Sequence, residues 1–244
     1  MNKILVVGAS GATGRLLVQA LLDRGLTVIA IVRSPQKLPE SLRTHHNLQI
    51  VQASPLNLSE VEMAQYTGRC SAVASCLGHN LSWRGIYGQP RKLVTDALRQ
   101  ICGAIKLNLP ETPTKVVLMN TAGNSNRDLH ERVSFAQKCV IWLIRTLLPP
   151  HADNEQAADY LRVKIGQNHP SIEWSVVRPD NLTDEAQVSQ YEVHPSPIRS
   201  AIFDAGSTSR INVGDFMANL ITDDSLWNQW EGQMPVIYNK DKQL

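Results

Sequence analysis

Three glycines in seven residues carry the strongest chemical signal. Gly8-Ala9-Ser10-Gly11-Ala12-Thr13-Gly14 follows the apolar run at residues 4–7 and opens a segment of helical period. Between a strand and a helix, Gly8 permits the tight turn, Gly11 lets backbone approach a pyrophosphate, and Gly14 lets the helix pack closely on the sheet. Backbone N–H groups of Ala12 and Thr13, in the same turn as Ser10, would meet phosphate oxygens at the positive end of that helix. The chemistry is dinucleotide binding; the bland alternative is a tight turn without a ligand. A second signal stands at the end of the next apolar run, where Arg33 is followed by Ser34 and, one turn later, Lys37. A carboxylate at this place serves the ribose 2′-hydroxyl of NAD, whereas a cation serves the 2′-phosphate of NADP. Arg pairs bidentately with phosphate and no acid stands beside it, so NADP(H) is favoured over NAD(H). The alternative is that Arg33 and Lys37 form a solvated helix start.

The remaining reactive side chains offer less. Cys70, Cys76, Cys102 and Cys139 form no Cys-x-x-Cys pair, and the seven histidines give no spaced triad, so no metal is expected. Four unpaired cysteines suit a reducing compartment. Lys and Arg number 24 against 22 Asp and Glu in 244 residues, a balance that argues against a nucleic-acid or anionic-membrane footprint. The apolar run before Gly8 is shorter than a signal peptide needs, and the stretch at 139–148 contains Arg145. A cytoplasmic protein acting on a small molecule, with no nucleic-acid or membrane partner, is the expectation; the sequence leaves the oligomeric state open.

The elements that must position these residues alternate regularly. Residues 4–7, 27–32, 48–53, 71–77, 115–120 and 173–178 read as buried strands. Residues 14–22, 91–105, 133–148 and 154–167 read as helices. Near-continuous apolar strands separated by helices predict an α/β fold, a doubly wound parallel sheet of the NAD(P)-binding Rossmann type. Residues 78–90 read as a long loop, and 133–148 as a buried helix or one covering a substrate cleft, with a partner surface as the alternative. One domain is expected over residues 1–244, with a small substrate-side lobe at 180–210.

The Gly-x-x-Gly-x-x-Gly turn, Val32-Arg33, Arg178-Pro179-Asp180-Asn181-Leu182-Thr183 and the late segment Ser209-Arg210-Ile211-Asn212-Val213-Gly214-Asp215-Phe216-Met217 carry a resemblance. Together they make the chain similar to the atypical and extended short-chain dehydrogenase/reductase superfamily. It looks most like the NAD(P)H-binding, NmrA-like branch with its flavin- and biliverdin-reductase relatives. The resemblance places Arg178 and Pro179 near the cofactor. It also puts Ser54 where relatives carry an acidic adenine contact. Resemblance and topology agree that Cys76, Leu77 and Gly78, then Asn120, Thr121 and Ala122, flank the cofactor. Cys76 reads as packing rather than as a nucleophile.

Active relatives use a Tyr-x-x-x-Lys pair. Tyr160-Leu161-Arg162-Val163-Lys164 has that spacing, but counting back from Arg178-Pro179 puts Asp159, Glu155 and His151 at the family's glutamate, lysine and tyrosine positions. Tyr160 and Lys164 are then displaced by nine residues, about half a rotation of a helix, and should face away. The catalytic candidates are therefore His151, as a proton donor, and Thr121; the competing reading makes His151 only a helix start. The implied activity is hydride transfer from NAD(P)H to a small planar or carbonyl acceptor, flavin- or quinone-like. The alternative is a catalytically silent NADP(H)-binding sensor or assembly protein, and an epimerase or dehydratase ranks third.

Overall fold

Successive residues of the first strand alternate between two cores: Ile4 and Val6 join one apolar cluster, Leu5 and Val7 the other. A strand buried on both faces belongs inside a sheet covered by helices on both sides. The structure, a computed structural model, describes residues 3–80, 82–131 and 133–240. In the first half β1 (Lys3–Val7), α1 (Gly14–Asp23), β2 (Thr27–Val32), α2 (Glu40–Arg43), β3 (Leu48–Gln52), α3 (Glu60–Thr67) and β4 (Cys70–Ser75) follow one another. Then come α4 (Trp83–Tyr87), α5 (Leu93–Asn108), β5 (Thr114–Met119), α6 (Phe135–Leu147) and α7 (Pro149–Asp159). The last elements are β6 (Ile172–Pro179), β7 (Asn181–Thr183), β8 (Tyr191–His194), β9 (Ser207–Ser209), α8 (Arg210–Thr222), α9 (Asp224–Trp230) and β10 (Val236–Asn239).

The main sheet runs β3-β2-β1-β4-β5-β6-β10-β8, parallel except for β8 against β10; β7 and β9 form a separate parallel pair. The fold is the doubly wound α/β architecture expected. Strand order reverses between β1 and β4, which opens a crevice at their carboxyl ends. The region at 180–210 contributes β7, β8 and β9, and β8 extends the main sheet itself.

Three expectations need correction. Residues 78–90 are not wholly loop: they contain α4, where Ser82 Oγ accepts from Gly85 N at 3.2 Å and the Trp83 and Tyr87 rings, four residues apart, meet at a tilt with centroids 4.7 Å apart. The helix expected from residue 154 begins at Pro149, because proline loses nothing in a first turn whose N–H groups have no helical partner. It passes into a π-helical turn, Tyr160–Ile165, and ends at Gly166. The third concerns α6, which is not buried: Gln137 is its one buried residue, while Phe135 is 82% and Trp142 65% exposed.

The late segment explains itself by packing. Ser209 caps α8, accepting from Asn212 N, and Gly214 lets α8 approach α1. A Cβ there would lie 3.0 Å from Leu17 N. Arg24 at the end of α1 clamps the pair by bonding Asp215 at 2.7 Å and Asn219 at 2.6 Å. The helix that opens at the glycine turn is thus held from behind by α8.

Candidate active site

Gly8 has φ +75, and a Cβ on it would stand 2.5 Å from the Cys76 carbonyl carbon and oxygen. This is both a backbone conformation and a space that glycine alone satisfies. Gly11 N donates to Gly8 O at 3.0 Å, closing the turn. A Cβ on Gly14 would overlap Gly8 O and lie 2.9 Å from Gly8 C, so the first turn of α1 packs on the loop without room for a side chain. Thr13 is buried and its carbonyl accepts from Leu16 N and Leu17 N; Gly11 and Ala12 are exposed at the rim.

In front of this turn lies a groove of about 150 Å³. It brings together Gly8, Ser10, Gly11, Arg33, Ser54, Cys76, Leu77 and Gly78 from the sequence reading, with Lys37 beside Arg33. Ala12, Thr13 and Gly14 lie in the adjoining turn. Pro55, Asn80 and Leu93 also line the groove, and nothing in the spacing pointed to them. Two exposed cations at the end of β2, a backbone cradle and a helix start form a set that fits a dinucleotide carrying a 2′-phosphate. Cys76 contributes backbone: its sulfur turns inward to 4.0 Å from Met217 Sδ, and burial pushes the thiol up to about 12. Such a thiol is no nucleophile at neutral pH.

A second concavity, of about 280 Å³, opens between α6 and the loop after β5. Gly123 and Asn124 line it at one side, Lys138, Ile141, Trp142 and Arg145 at another, and Glu155 at its floor. Asn120 is buried beside it, donating to Asn154 O at 2.9 Å and accepting from Thr121 N at 2.9 Å. Thr121 Oγ1 accepts from Gly123 N at 3.3 Å. His151 lies against this turn: its Cε1 is 3.6 Å from where a Gly123 Cβ would stand. His151 Nε2 lies 3.4 Å from Glu155 Oε1, yet is too poorly aligned for a hydrogen bond. Arg145 pairs with Glu155 from above. Burial raises the Glu155 carboxyl, but the neighbouring His151 and Arg145 outweigh it and hold the group below its ordinary value. An ionised Glu155 therefore stands one helical turn from His151.

Arg178 and Pro179 do not reach either concavity. Arg178 is fully buried, and its guanidinium donates to Glu131 Oε1 at 2.8 Å, Asn124 O at 2.8 Å and Met234 O at 2.6 Å. Pro179 O accepts from Ala122 N at 2.9 Å. The two residues brace the loop after β5 from behind, so the cofactor contact expected of them is corrected to a structural role. Glu131 was not singled out from sequence because its partner is 47 residues away.

Tyr160 and Lys164 line neither concavity. The Tyr160 ring packs toward α5, with the Arg99 guanidinium 5.7 Å from its centroid, and Lys164 is exposed. Burial raises the Tyr160 hydroxyl above its ordinary value, which is the wrong direction for an activated phenol. Sequence reading also missed His79 and the tie that Asp153 makes to α5. Asp153 is buried and accepts from Val94 N at 2.8 Å and Thr95 N at 3.0 Å, capping α5. Among the described residues no group of His, Cys, Asp and Glu could hold a metal, and no helix is long and apolar enough to cross a membrane.

Known proteins place this geometry in a family. Residues 8–224 match the NAD(P)H-binding family. An uncharacterised chloroplastic protein of Arabidopsis thaliana is 43% identical over 64 residues, a match that takes in 25% of this chain and only 23% of that relative. Among solved structures, a short-chain dehydrogenase/reductase from Veillonella parvula in complex with NADP aligns with a TM-score of 0.71 and 16% identity, over 100% of this chain and 97% of that one. An oxidoreductase from Lactococcus lactis aligns with a TM-score of 0.69 and 16% identity, covering 98% and 91%. An anaerobilin reductase from Escherichia coli O157:H7 gives 0.67 and 15%, covering all of both chains. At these identities the structures share the fold. Sequence match, sheet order and glycine turn agree: the chain belongs to the NAD(P)H-binding family and shares the fold of these solved structures.

Proposed function

We propose that the protein is an NADP(H)-dependent oxidoreductase that reduces a small planar or carbonyl acceptor. The observation that carries this reading is that Glu155 lines the 280 Å³ pocket with His151 directly behind it, against the Thr121–Gly123 turn, at the carboxyl end of the same sheet that carries the dinucleotide groove. The glycine turn would hold the pyrophosphate, Arg33 and Lys37 the 2′-phosphate, and Ser54 the adenine side. Cys76, Leu77 and Gly78 would line the path of the dinucleotide. A reduced nicotinamide, when bound, would supply a hydride, two electrons with one proton, to the electrophilic carbon or ring nitrogen of the acceptor. The acceptor oxygen then needs one proton. His151 would deliver it, with Glu155 stabilising the imidazolium before transfer. Asn120 and Thr121 orient the turn against which the acceptor would rest.

The finer form of this proposal is a cytoplasmic NmrA-like reductase of one domain, with 180–210 as its substrate-side lobe. A flavin- or quinone-like acceptor suits the site because it demands less of a positioned phenol. The second reading, a silent NADP(H) sensor, is favoured by the count back from Arg178-Pro179, which puts Glu155 rather than a lysine at the lysine position of active relatives. NADPH oxidation measured against quinones, flavins and aldehydes decides between them. Turnover with any acceptor supports the reductase; tight NADPH binding with no oxidation above the protein-free rate supports the sensor.

A further inference from the structure

Lys138, Ile141, Trp142 and Arg145 are spaced i, i+3, i+4 and i+7 on α6, so one stripe of this helix faces the 280 Å³ pocket. The two ends of the stripe differ in what they have left to bind. Arg145 is engaged by Glu155, beside His151, at the inner end. Across the pocket, Arg127 is paired with Asp159 at 2.8 Å. The ammonium of Lys138 has no ion-pair partner among the described residues. Seven residues of helix at 1.5 Å each separate the two ends by about 10 Å, and Ile141 and the exposed Trp142 ring lie between them.

We infer that the acceptor is a flat aromatic compound bearing an acidic group, a carboxylate, sulfonate or phosphate, at the end remote from its reducible carbon. This rests on the reductase reading, which puts the reducible end near His151; Lys138 then reads the acid, and Ile141 and Trp142 receive the rings. The volume is at the small end of the range for drug-sized ligands, which suits two or three fused rings. The pocket's own acids do not oppose such a ligand. Glu131 is held by Arg178 and Glu155 by Arg145. An unpartnered cation at a partly apolar rim confers selectivity between charged and neutral ligands more than raw affinity.

The test uses anthraquinone-2-carboxylate and its neutral counterpart 2-(hydroxymethyl)anthraquinone. Each is titrated into the full chain saturated with NADP⁺, and each is assayed separately for NADPH oxidation. The carboxylate is expected to bind about tenfold more tightly than the alcohol, the usual scale of one charge-assisted contact. Lys138→Glu should erase that ratio, while Lys164→Glu, an equal charge change outside the pocket, should keep it. Equal affinity for the two probes, no binding of the carboxylate, or an unchanged ratio in Lys138→Glu would overturn the inference. Charge-selective binding without NADPH oxidation would uphold the ligand class and defeat the reductase reading. Oxidation of both probes with equal KM would do the opposite.

Discussion

His79 Nε2 lies 2.8 Å from Asp153 Oδ2, and both side chains are nearly inaccessible to solvent. The other ring nitrogen, Nδ1, faces the Gly85 carbonyl at 3.2 Å, which can only accept. Asp153 also accepts from two backbone N–H groups at the start of α5, and Thr95 Oγ1 donates to its carbonyl at 2.9 Å. One carboxylate thus ties the loop after β4, the start of α5 and α7 together, behind the groove wall formed by Gly78, Asn80 and Leu93.

Burial pushes the Asp153 carboxyl up, but hydrogen bonds from His79, Thr95 and Val94 outweigh it, and the group sits below its ordinary value. Its contribution to stability is therefore complete above the ordinary carboxylate range and is lost as pH falls through the depressed folded value. Asp153→Asn should lower stability at pH 7 and flatten the fall in Tm below about pH 4. Thermal melts of both proteins from pH 3 to 7 check this; parallel curves would refute it.

Removing the Arg178 side chain strands Glu131, whose side chain is 3% exposed. Leaving one partner of a buried pair uncompensated typically costs about 3–5 kcal/mol. Arg178→Met should lose stability on that scale in urea unfolding, while the double variant with Glu131→Leu should recover part of it. A single variant as stable as the parent would exclude the bracing role.

Gly14→Val should abolish NADPH binding in calorimetry and lower the Tm, because even its Cβ would overlap Gly8 backbone. Unchanged affinity would remove the dinucleotide from this turn.

Arg33→Asp should weaken NADPH binding about ten- to a hundredfold with little effect on NADH, the scale of a lost charge-assisted phosphate contact. A parent protein with equal affinity for the two cofactors would contradict the assignment.

Tyr160→Phe should leave any reductase rate within about threefold, whereas a true general acid contributes about 10²–10⁴-fold. His151→Gln should lower kcat toward that larger scale with NADPH affinity unchanged. The reverse pattern would restore the ordinary Tyr-x-x-x-Lys mechanism.

Much of the architecture was legible along the chain because its causes are local. Apolar runs bounded by turns marked six strands of the main sheet, and Gly8, Gly11 and Gly14 announced the phosphate turn by spacing alone. The place of Arg33 on the groove was legible because it follows the end of a strand beside the glycine turn. Partners distant in sequence were not: Asp153 meets Val94 and Thr95 58–59 residues away, and Glu131 meets Arg178 across 47. Nor does the period of an apolar stretch report what covers it, which is how α6, apolar on several faces, comes to lie largely exposed. Sequence by itself determined the doubly wound fold and the place of the glycine turn, since both follow from backbone conformation and short-range periodicity. Only the tertiary structure decided that Arg178 braces a loop, that Tyr160 turns toward α5, and that Glu155 lines a pocket where Arg145 of α6 pairs with it. Those outcomes depend on which surfaces the packed sheet brings within a few ångströms, a condition that no local pattern encodes.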